Sequence, residues 1–104
     1  MSMIETRTYN EDLRHCFDIS KAVLEKLGCK ILRQREIMWL IQASKQVDGH
    51  DYLINVTWQA LSKTQVTVSC VASDDALLEI CRNLVHEILT AFDQHLKPYQ
   101  RKDN

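Results

Sequence analysis

Tyr52-Leu53-Ile54-Asn55-Val56-Thr57-Trp58-Gln59-Ala60 and, after a short link at Ser62-Lys63, Val66-Thr67-Val68-Ser69-Cys70-Val71-Ala72 decide how this chain folds. Tyr52, Ile54, Val56, Trp58 and Ala60 alternate with Leu53, Asn55, Thr57 and Gln59. Val66, Val68, Cys70 and Ala72 alternate in the same way with Thr67, Ser69 and Val71. Successive side chains of a strand point to opposite faces, so a period of two marks a strand with one buried face. Two such runs joined by a short link predict a hairpin.

Working back from the hairpin, Asp48-Gly49 supplies a turn, because both residue types tolerate positive φ. Ile37 to Ser44 precedes it and predicts a strand with Ile37, Trp39, Ile41 and Ala43 on one face. Cys29-Lys30-Ile31-Leu32-Arg33 reads as a further strand. The glycine-free Gln34-Arg35-Glu36 between them leaves open whether these are two strands or one bent one. Met3 to Tyr9 predicts a short edge strand.

Two segments carry helical periodicity instead. Leu13, Cys16, Phe17, Val23, Leu24 and Leu27 fall three and four apart, with small Ser20 between. Asn10 is the expected cap, and Gly28 the expected left-handed C-terminal residue. From Asp74 to Leu96, Leu77, Ile80, Cys81, Leu84, Val85, Ile88 and Phe92 make a second stripe, with Ser73 as its expected cap and Pro98 as its stop. The order strand, helix, four strands, helix predicts an α+β two-layer sandwich. An antiparallel-dominated sheet of four to five strands would carry both helices on one face. Trp39 and Trp58 are then core residues, each wanting a partner for its indole N–H. Residues 1–97 form one domain, and 98–104 a polar tail expected to fray.

Composition agrees. The 104 residues are 45% hydrophobic and 26% charged, as in a soluble globular domain of a size that folds without staples. A formal charge of -1 provides no field to recruit nucleic acid or a membrane surface. No apolar run approaches the roughly 20 residues that span a bilayer, and no secretory signal is present in the sequence. The four scattered cysteines read as free thiols, and a cytoplasmic location is expected.

The organisation resembles a group of small bacterial domains of largely unknown function, some attached to lipoproteins. The stretches that carry the resemblance are Val23-Leu24-Glu25-Lys26-Leu27-Gly28 and Ile41-Gln42-Ala43. It implies the fold and no particular activity. The lipoprotein signal found in some of those domains is missing here.

Chemical motifs are sparse. Zinc ligands normally come as pairs two to five residues apart. His15 and Cys16 are adjacent on a helix and diverge by about 100 degrees; Cys81 and His86 diverge by roughly 140 degrees. No cofactor or metal is expected. A nucleophilic cysteine needs a nearby base, and Cys29, expected to be the thiol closest to solvent, has none in sequence. The turn Asp48, His50 and Asp51 gathers groups that exchange protons near neutral pH. His95 is expected on the apolar side of the last helix, at the negative end of its dipole. Strand aromatics fall in the inward set, against an RNA-stacking sheet.

The run Ile37-Met38-Trp39-Leu40-Ile41 is apolar on both faces of its expected strand. Met38 and Leu40 would then lie on the open sheet face beside Leu32 and Leu53, a patch suited to an interface. A non-enzymatic interaction or ligand-binding module is therefore expected, acting through that face or a sheet edge on a protein or peptide partner or as a homodimer. A secretion-chaperone-like dimer is the alternative, although the sequence pI of 6.4 lacks the strongly acidic character expected there. A small enzyme using Cys29 or the Asp48–Asp51 loop is the third reading.

Overall fold

The computed structural model describes residues 2–73 and 78–99. Five strands and two helices follow in the order β1 (Ser2–Tyr9), α1 (Leu13–Lys26), β2 (Lys30–Arg35), β3 (Leu40–Val47), β4 (His50–Ala60), β5 (Val66–Ser73) and α2 (Leu78–His95). A single 3-10 turn, Glu36–Met38, joins β2 to β3. The sheet runs β1-β5-β4-β3-β2, and every neighbouring pair is antiparallel.

The alternation along 52–72 sorts side chains as the sequence requires. Tyr52, Ile54, Val56, Trp58, Val66, Val68, Cys70 and Ala72 are buried, whereas Asn55, Thr57, Thr67 and Ser69 are half-buried on the other face. Both helices cover the buried face. Phe17 and Leu24 of α1 and Leu84, Ile88, Leu89 and Phe92 of α2 complete one core with it. Full burial of each large apolar side chain is worth about 1.5–3 kcal/mol, so this layer supplies most of the driving force. Trp58 sits at its centre, with ring centroids 5.4 Å from Phe92 and 6.0 Å from Tyr9. Its indole Nε1 has no hydrogen-bond partner among the described residues.

Several local expectations are corrected. Asp12, not Asn10, caps α1 by accepting from the His15 N–H at 3.1 Å. The Asn10 N–H instead donates to the Lys97 carbonyl at 2.9 Å. The strand expected from Ile37 begins at Leu40, because Glu36–Met38 coil into a turn and Trp39 takes a left-handed backbone with φ 51°. Ile37 therefore leaves the inward set and is 97% exposed. Trp39 is only partly buried: its ring meets Phe17 edge-on at 5.4 Å and lies 4.8 Å beneath the Arg14 guanidinium. His95 is exposed rather than on the apolar side of α2. The expected start of α2 at Asp74 and its Ser73 cap involve positions outside the described residues. Asp48 and Gly49 do form the tight turn, at φ 53° and 79°.

Beyond α2 the chain returns to the sheet. Pro98 bridges to Tyr9, and the Tyr99 N–H donates to the Thr8 carbonyl at 3.2 Å. At least the first two residues of the segment expected to fray thus lie along the edge of β1.

Candidate functional site

The nucleophile reading weakens once side chains are placed. Cys29, expected near solvent, is 7% exposed and belongs to the core cluster. Its N–H donates to the Leu24 carbonyl at 2.9 Å, folding the end of α1 over the thiol. Burial raises its pKa above the usual thiol value; Lys45 opposes that shift and Glu87 adds to it. Burial likewise pushes Cys16 and Cys70 up to about 12. A raised pKa keeps a thiol protonated and poorly nucleophilic at neutral pH.

The turn carboxylates and imidazole also disperse. His50 and Asp51 are successive residues of β4 and project to opposite faces. The His50 ring rests edge-on against buried Tyr52 at 5.4 Å, whereas Asp51 pairs with Gln46 on the open side. Asp48 stays in the turn itself. Among the described residues, no three His, Cys, Asp or Glu side chains converge as a metal site.

The exposed apolar residues are better organised. Leu32, Met38 and Leu53 are each about half exposed, and Leu40 is half-buried. The sheet divides these four into two groups. Leu53 pairs with Ser73 and Ser44, which makes it a diagonal neighbour of Val71 and places it with exposed Ile4 toward the β1 side. Leu32, Met38 and Leu40 belong to the β2–β3 end, and Ile37, missed as a surface residue by the sequence reading, crowns them. A depression of about 270 Å³ at this end is lined by Arg35, Glu36, Ile37 and Met38.

Two features hold the tip in place. A hydrogen bond of 3.0 Å from the Trp58 N–H to the Trp39 carbonyl ties it to the middle of the sheet. Arg14, stacked on Trp39, also approaches Glu36 Oε1 at 3.8 Å. The left-handed Trp39 would cost about 1–2 kcal/mol alone, and the packing of its ring on Phe17 and Arg14 offsets that. Arg33 and Arg35 pair with Gln42 and Leu40 beside this end, and Lys30 pairs with Ser44 at the far end of β2, so all three cations share the open face. A β-bulge at Leu32 lets Ile31 pair with Ala43 and Arg33 with Gln42.

No family model and no curated protein matches the sequence. Among solved structures, protein CV1439 from Chromobacterium violaceum is similar over 95% of this chain and 99% of its own, with a TM-score of 0.57 and 15% sequence identity. At that identity the likeness shows a shared fold alone. Ara h 8.0201 aligns over 91% of this chain and 96% of its own, at a TM-score of 0.40 and 9% identity, too distant to carry an argument. No helix among the described residues is long and apolar enough to cross a membrane.

Proposed function

We propose that this chain is a non-enzymatic protein-interaction module whose open sheet face, at the β2–β3 end, docks a partner segment bearing both apolar and acidic side chains. One observation carries the reading: Ile37 is 97% exposed and Met38 55% exposed on a turn that the core holds fixed. Solvating two large apolar side chains at one tip is unfavourable, and covering them recovers about 25 cal/mol per Å² of apolar surface. Acidic character in the partner follows from Lys30, Arg33 and Arg35, which share that face with Leu40. Complementary charge chiefly sets encounter rate and selectivity, leaving the apolar pair to supply affinity.

The test is selection of binders from a random peptide display, with the hits measured by fluorescence anisotropy. Peptides rich in leucine and carboxylates are expected. Their binding should weaken at least tenfold against Met38→Glu and against the Arg33→Glu, Arg35→Glu double variant. Hits that bind both variants as well as wild type would refute the assignment of this face.

A further inference from the structure

The two edges of the sheet are built differently. β2 carries a bulge at Leu32 and three basic side chains, devices that keep an edge from pairing with another strand. β1 has eight residues in unbroken register with β5, with no bulge, proline or lysine. Its far end is already occupied, because Tyr99 donates to the Thr8 carbonyl and Asn10 to that of Lys97. Those two bonds also set the phase of the edge. In an extended strand alternate residues point their N–H and C=O groups the same way, so Ile4 and Thr6 face outward as Thr8 and Asn10 do. Among the described residues nothing pairs with them on that side.

From this we infer that the residue 2–6 stretch of β1 pairs antiparallel with the same stretch of a second copy, about a two-fold axis at Ile4, joining the two sheets into one of ten strands. Register follows from the phase and the occupied end. Outward-facing residues must meet outward-facing residues, and Thr8 is taken; Ile4 opposite its own copy with Thr6 opposite Ser2 is the register that pairs all three free outward residues, whereas centring on Met3 leaves Thr6 unpaired. Centring on Glu5 would also satisfy the phase but would set two like charges directly opposite one another.

Side chains on both faces suit a second copy. On the open face, 61% exposed Ile4 pairs with Val71, and Leu53 lies diagonally beyond. The axis would bring the two Ile4 side chains together and merge both apolar patches. On the helix side, a cleft of about 460 Å³ is lined by Met3, Glu5, Arg82, Val85 and His86, among others. In the proposed register the second copy's Glu5 lies opposite Met3, at the cleft that Arg82 lines. Arg82 thus offers a cation where the second copy's carboxylate arrives, beside the chain's own Glu5. The interface lies on the edge away from the β2–β3 tip, so it stands or falls separately from the peptide-docking reading.

Single-cysteine probes test the register. The four native cysteines are buried, so they leave an introduced surface thiol to report alone. Opposed residues in a hydrogen-bonded antiparallel pair have Cα atoms about 5.5 Å apart. Ile4→Cys should therefore give a covalent dimer with a short bifunctional thiol reagent, whereas Thr6→Cys, which meets Ser2 instead, should give at least fivefold less. Sedimentation equilibrium on the full chain provides the second readout. Ile4→Pro deletes an outward N–H that takes no part in the β5 ladder, and it should raise the dimer dissociation constant at least tenfold with unchanged circular dichroism. Wild type monomeric to several hundred micromolar overturns the inference. So does equal cross-linking at Ile4→Cys and Thr6→Cys. If removing residues 100–104 turns a monomer into a dimer, the chain's own terminal segment occupies this edge in the intact protein, which also refutes the inference.

Discussion

Asp93 fastens the edge strand to α2, and its replacement gives a quantitative test of the packing. The buried Tyr9 hydroxyl donates to Asp93 Oδ1 at 2.7 Å, and the Arg7 guanidinium pairs with Oδ2 of the same carboxylate. Asp93→Ala leaves the Tyr9 hydroxyl buried without its acceptor, which costs about 1–3 kcal/mol. The Arg7 pair is partly exposed, with side chains 30% and 40% accessible, so its loss adds only about 0.2–1 kcal/mol. A destabilisation of about 2 kcal/mol follows, which lowers Tm by roughly 8–16 °C in a domain of this size. Tyr9→Phe removes the hydroxyl together with its need for a partner and leaves Arg7 with Asp93. It should cost less, about 0.5–1 kcal/mol. Urea unfolding followed by tryptophan fluorescence compares the two. Equal losses, or a smaller loss for Asp93→Ala, would refute the reasoning that the carboxylate's main task is to satisfy a buried hydroxyl.

Other consequences are as direct. Burial raises Cys16 and Cys70 from 9.0 to about 12, and burial with the Asp93 hydrogen bond lifts Tyr9 well above its ordinary 10.0. Groups whose folded pKa is raised stabilise the fold fully below the unfolded value and lose that contribution as pH climbs to the folded one. Unfolding free energy should therefore fall by about 1.4 kcal/mol per pH unit for each cysteine above about pH 9, with Tyr9 adding to the slope only above about pH 10; a flat profile to pH 11 would contradict this. Gly49→Ala forces a side chain into φ 79° where no neighbouring atom obstructs it, so backbone strain alone should cost about 1–2 kcal/mol in thermal unfolding. Thiol labelling of the native protein should be slow at all four cysteines and rise together with unfolding in urea; rapid labelling of Cys29 alone would reopen the nucleophile reading. Ile37→Asp should leave Tm within about 2 °C of wild type, since a fully exposed side chain holds nothing together.

What the sequence disclosed, and what it hid, divides by range of interaction. The period of two along residues 52–72 reports one buried face directly, because each inward residue meets the same helical layer. Asp48-Gly49 was equally legible, since a two-residue turn needs only what those residues supply locally. The tip was not. Ile37-Met38-Trp39-Leu40-Ile41 has the composition of a strand and contains no glycine, yet the chain turns there because Trp39 finds Phe17 and Arg14 on a helix more than twenty residues earlier. The cap at Asp12 was displaced from Asn10 for a similar reason, as Asn10 is drawn into backbone pairing with Lys97 at the other end of the fold. Cys29 looked accessible beside a glycine, and only the return of the chain beneath α1 buries it. Leu32 and Leu53, expected on an open-face patch with Met38 and Leu40, are exposed and Leu40 is half-buried, but their division into two groups depends on strand order, which a single sequence does not state.

Amide chemical-shift mapping on the 15N-labelled protein, titrated with a selected leucine-and-carboxylate peptide, addresses the docking surface most directly. The largest shifts are expected at Leu32, Arg33, Arg35, Met38 and Leu40, with the exposed faces of both helices unchanged. Shifts centred on α1 or α2, with the β2–β3 end silent, would contradict this.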